Sequence, residues 1–141
     1  MHPFRPLARL ALAAGCLVFA ACGGDETQGT DDHTPTTFTV LVNDAPASSP
    51  LALTVGTPVR IRIKYENAEG EDLDDVEAEH FGGLVFSPAS LATAARDAAH
   101  HFQFDVVPAQ AGSGTIQVTY GHDEAADEVS FPATPVIVSE P

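Results

Sequence analysis

The sequence predicts an all-β domain, an antiparallel β-sandwich of about seven strands. Three observations carry this. Apolar and polar residues alternate over short runs, the period of a half-buried strand. Glycine, proline and short polar clusters separate those runs. One run shows both faces at once: in "VRIRIKY", Val59, Ile61, Ile63 and Tyr65 share one side, while Arg60, Arg62 and Lys64 share the other. That is a strand with one face in a core and one in water. The chain has 141 residues, a length for one domain.

The elements follow in order. In "TFTVLV", Phe38, Val40 and Val42 alternate with Thr39 and Leu41. Leu51, Leu53 and Val55 alternate next, and Gly56-Thr57-Pro58 turns the chain into the run 59–65. "GGLVFSP" is a shorter apolar strand, 83–86. Residues 88–99 admit two readings. Ser87-Pro88 is a good start for a helix and alanine favours one, but Leu91, Thr93 and Ala95 also alternate. An irregular strand or loop is preferred. Phe102, Phe104 and Val106 alternate against Gln103 and Asp105, and "AGSG" reads as a turn. Ile116, Val118 and Tyr120 then point inward along 115–121. "FPATPVIVSE" is the last strand, where Pro132 and Pro135 demand an edge position or a bulge.

This pattern of strands and turns resembles bacterial immunoglobulin-like domains over residues 37–140. No cysteine pair or tryptophan marks an antibody-type core.

The first residues form a different unit. Arg5 and Arg9 precede the apolar run "LALAAGCLVFA" and the small residues Ala20 and Ala21. This is the order of a secretory signal, and the uncharged stretch is shorter than a membrane span needs. "FAAC" followed by "GGDE" resembles the lipobox of bacterial lipoproteins, with Phe19 where leucine is usual. The resemblance implies a signal peptide over residues 1–21 and a lipidated Cys22. It also implies anchoring in the bacterial cell envelope, with Gly23 pointing to the outer membrane, facing the periplasm or the cell surface. Two or three acyl chains hold where one would not. Residues 22–36 then read as the lipidated cysteine and a flexible tether, with a reach of about 20 Å, in which His33 is solvated.

The whole chain carries a formal net charge of −14. The part after Cys22 is more acidic still, because Arg5 and Arg9 stay with the leader. Such a field excludes nucleic acid and favours cations or basic partners.

The histidines suggest which cation. In an alternating sandwich, 59–65 and 115–121 run one way, and 83–86 and 101–107 run the other. His80 before one strand, His100 and His101 at the start of another, and His122 after a third then meet at one end of the domain. Glu77, Glu79, Asp123, Glu124, Asp127 and Glu128 gather there too. Neutral imidazoles from three segments suit a divalent metal, with Glu79 or Asp123 as a fourth ligand or as a hydrogen-bond partner of a ring. Mature protein without Met1, Cys16 or a free Cys22 thiol disfavours Cu(I), whereas Zn²⁺, Cu²⁺ and Ni²⁺ suit imidazole. Ca²⁺ is a weaker reading, resting on "EGEDLDDVEAE" alone, which lacks EF-hand spacing.

Catalysis is not expected: no G-x-S-x-G elbow occurs. The expected function is metal capture, buffering or delivery. The alternative is an envelope spacer, adhesion or interaction module that docks an envelope protein and holds no metal. The metal reading predicts affinity that falls as pH drops through the imidazole range, about 6.5, because protons compete for the ring. A metal titration repeated at several pH values checks it.

Overall fold

A computed structural model describes residues 33–75 and 79–141. The expected signal peptide, Cys22 and most of the expected tether lie outside the described residues, as does Glu77. Ten strands form two five-stranded sheets, one with order β2-β1-β4-β7-β6 and the other with order β3-β10-β8-β5 and β9 alongside β8. Their ranges are β1 Thr37–Val42, β2 Ala45–Pro46, β3 Leu51–Thr54, β4 Val59–Glu66, β5 Phe81–Ser87, β6 Ala92–Arg96, β7 Gln103–Pro108, β8 Gly112–Gly121, β9 Val129–Ser130 and β10 Thr134–Ser139. The order β1-β4-β7-β6 facing β10-β8-β5 is the A-B-E-D and G-F-C arrangement of an immunoglobulin-type sandwich. No helix among the described residues is long and apolar enough to cross a membrane.

Alternation explains the layers. Ile61, Ile63 and Tyr65 of β4 are buried, as are Phe104 and Val106 of β7 and Ile116, Val118 and Tyr120 of β8. These residues meet between the sheets in one cluster with Leu51, Leu53, Val136 and Val138. Tyr65 crosses the gap: its hydroxyl donates to the Thr119 carbonyl on the opposite sheet at 2.6 Å. Gly82 makes room for it, since a Cβ there would stand 2.9 Å from that hydroxyl.

Several expectations need correction. The sandwich is not wholly antiparallel, because β3 runs parallel to β10. The strands outnumber the expected seven partly because two are very short. Asn43 and Asp44, both with positive φ, make the two-residue hairpin that adds β2. Residues 92–96 form a regular strand paired with β7, not an irregular strand or loop. "AGSG" is not a turn, for Gly112, Ser113 and Gly114 pair with Val138, Ile137 and Val136 of β10. Glycine serves packing there: a Cβ on Gly114 would come within 2.2 Å of the Ser87 carbonyl and 2.6 Å of a Leu91 methyl. Nor is β10 an edge strand. Its pairing with β3 begins only at Val136, so at Pro135 the missing N–H needs a partner on one side at most.

Gly114→Ala should therefore destabilise the fold by about 1–3 kcal/mol, the usual cost of overpacking. A thermal melt followed by circular dichroism reads this as a lowered Tm.

Candidate functional site

The strand ends come together as the topology requires. In the β5–β8 ladder Phe81 lies opposite Gly121. One step further along the same register, His80 stands opposite His122. Both continue the inward parity of their strands: Leu84 and Phe86 on β5, and Val118 and Tyr120 on β8, are buried. His80 is itself only 3% exposed. Its ring lies 5.5 Å from that of His122, edge to face, and 5.8 Å from that of Tyr120. His122 also meets Tyr120 at 5.5 Å.

The segment after β8 answers to His122. Asp123 Oδ1 accepts from the Ala125 amide, and the Asp123 carbonyl accepts from the Ala126 amide. The turn folds Ala126 over Gly121, where a Cβ would sit 2.9 Å from the Ala126 Cα. Glycine is needed there for space. The chain then returns, and Glu128 closes on His122 twice: Oε2 lies 2.6 Å from Nδ1, and Oε1 accepts the backbone N–H at 3.2 Å. These bonds, the ring bond first, hold the Glu128 carboxyl below the usual carboxylate range. An ionised Glu128 can only accept, so Nδ1–H donates. In the neutral ring the lone pair then falls on Nε2. The His122 side chain is 43% exposed.

His33 is exposed, as expected of the tether, yet it joins this group. Its ring lies 4.9 Å from that of His80, at 48°. Nearby Pro35 is buried, and the Thr36 amide donates to the Glu66 carbonyl at the end of β4.

His100 and His101 are placed differently. Asp97 Oδ1 accepts from the Ala99 and His100 amides, bonds that hold its carboxyl below the ordinary range. This turn swings His100 outward, where Nδ1 stands 3.5 Å from Asp75 Oδ2. His101 takes the outward parity of Gln103. Its ring stacks on Phe81 at 4.4 Å, and Nδ1–H donates to the His80 carbonyl at 2.9 Å. The expectation that His101 or His100 would face the other rings as a third ligand is thus redrawn. Strand parity places the His101 ring against Phe81, and the Asp97 turn places His100 against Asp75.

The expected carboxylates also change. Asp123 is used in its own turn, and Glu79 is exposed. Among the described residues, Glu128 is the acid that lies 2.6 Å from a histidine ring nitrogen. Arg96, which no motif marks, is a strut: its guanidinium donates to the carbonyls of Gly82 and Glu124 at 3.0 Å and lies over the Phe81 ring. In the acidic stretch 69–79, Asp72 pairs with Lys64 and the Glu71 amide caps onto Asn67. Among the described residues, no three His, Cys, Asp or Glu side chains already converge closely enough to hold a metal ion.

No family model matches the chain, and no curated protein matches it. Among solved structures it is similar to domains 4 and 5 of the S-layer protein SbsC. The identity is 15% and the TM-score 0.49, over 75% of this chain and 54% of that one. The chain thus spans about half the length of that structure, and a likeness this distant carries no statement about activity or partners.

The depressed Glu128 carboxyl gives a pH sign. A lowered folded-state value means that the Glu128–His122 clamp contributes stability above the usual carboxylate range, about 4.3, and loses it as pH falls through the depressed value. Glu128→Gln should remove that acid-side dependence and leave the strand ladder intact. Carboxyl and imidazole NMR titrations of the two proteins measure the difference.

Proposed function

We propose that the chain is a non-catalytic lipoprotein of the bacterial envelope, anchored through Cys22, whose loop end binds a divalent transition metal for capture, buffering or delivery. The observation that carries this is the pairing of His80 and His122 across one register position, with Glu128 holding the His122 ring by Nδ1. A carboxylate on one ring nitrogen raises the basicity of the other and orients it, the usual support of a metal-ligating histidine. The rings meet edge to face, so binding requires an adjustment of the His122 ring that keeps its Nδ1 bond to Glu128. With nitrogen and carboxylate donors and no thiolate, Zn²⁺, Cu²⁺ and Ni²⁺ are the cations that fit. The lipobox supports the anchor, and the acidic surface supports attraction of a cation.

Burial of His80 favours a second reading. His80 covers Tyr120 and closes the end of the core, as a packing residue would. In that reading the module is a spacer or docking domain for an envelope protein, and the imidazoles serve stability alone.

Calorimetric titration of residues 23–141 with Zn²⁺, Cu²⁺ and Ni²⁺ separates the two. The metal reading expects binding that His122→Ala weakens by at least about tenfold, with an unchanged circular dichroism spectrum. Absence of binding heat, joined to a lowered Tm in His122→Ala, would establish the packing reading instead.

A further inference from the structure

The topology brings a third histidine to this end from a segment where composition suggested none. β1 is antiparallel to β4, with Thr37 opposite Glu66. The start of β1 therefore lies at the end of β4, which is the end where β5 begins and β8 finishes. Burial of Pro35 and the 2.9 Å bond from the Thr36 amide to the Glu66 carbonyl fasten the chain just after His33. His33 is thus confined near the site by backbone anchoring, and its ring reaches to 4.9 Å from that of His80. His33, His80 and His122 come from three separate segments and form a continuous row of rings.

We infer that His33 is the third ligand of this site, so that a bound metal pins the end of the tether to the sandwich. The inference rests on the metal reading above and adds the ligand and its consequence. The exposed rings of His33 and His122 turn toward the buried His80, giving three nitrogens, with water or a carboxylate in the fourth position. Each ligand is a neutral imidazole, so the set takes a borderline cation such as Zn²⁺. Because one ligand belongs to the segment that leads to Cys22, loading the site fixes the chain at His33, two residues before the buried Pro35.

The test uses the purified protein and Zn²⁺, with affinity measured by competition against a chelating dye. His33→Ala should weaken binding by at least about tenfold. His33→Cys, which supplies another zinc ligand, should recover most of the loss. Zn²⁺ should also slow hydrogen exchange at the Thr34 and Thr36 amides in the parent protein but not in His33→Ala. Wild-type binding that His33→Ala leaves unchanged would overturn the role of His33 while the His80–His122 site stands. A wild-type protein that binds no Zn²⁺, Cu²⁺ or Ni²⁺ would remove both.

Discussion

The hydrogen bond from Tyr65 to the Thr119 carbonyl is the constraint on which the loop end depends. It joins the two sheets at the height where the strands finish. Burial pushes the Tyr65 phenol upward in pKa, so the hydroxyl stays a donor at any physiological pH. Around it, Phe102, Tyr120 and Phe131 pack at 4.7, 5.5 and 5.9 Å between ring centres. Aromatic side chains bury much area with few torsions, and edge-to-face contacts add specificity to that burial. The sheet spacing is therefore set by rings. Beyond Tyr120 stand His80 and His122, both in contact with its ring, at 5.8 and 5.5 Å, and with each other. The histidines extend an aromatic column whose lower part is core and whose upper part meets water.

A second set of bonds holds the loops to that column. Arg96 reaches from β6 to the carbonyls of Gly82 and Glu124, tying an edge of one sheet to the edge of the other. The Gly82 amide in turn donates to the His101 carbonyl. Charged groups bonded to carbonyls are stronger than neutral pairs, and here they span segments far apart in the chain. The acids follow the same logic. Asp97, Asp123 and Glu128 each accept backbone N–H groups at a turn. Part of the negative charge at this end is thus structural, the local means by which short loops satisfy their amides.

Much of the fold was legible because one face of each long strand is buried. The runs 59–65 and 115–121 could be read residue by residue for that reason. The misreadings have physical causes too. Gly112 and Gly114 look like punctuation, but they are spaces cut for the Leu91 turn packed on them. β2 is too short to show a period. At the site, His80 and His122 were legible through topology. His101 keeps the face of Gln103 that its place in the alternation gives it, which turns its ring to Phe81 and away from the other two. His33 was hidden by its polar neighbours: its position follows from where β1 starts, not from local pattern. Glu128 lies six residues beyond His122, so only closure of the loop reveals the contact, while adjacent Asp123 is consumed by its own turn.

The register that sets Phe81 against Gly121 has a consequence for how such a chain tolerates insertion and deletion. The two histidines face each other because each sits one residue outside a ladder, on the same side of the pleat. Length changes in the stretch just before His80, or in the turns between β6 and β7, lie outside the β5–β8 ladder that sets that opposition. A single residue gained or lost inside β5 or β8 would turn one histidine to the outer surface and separate the pair. The connecting loops are thus free to drift in length, while the strands beside the pair are held to a fixed count.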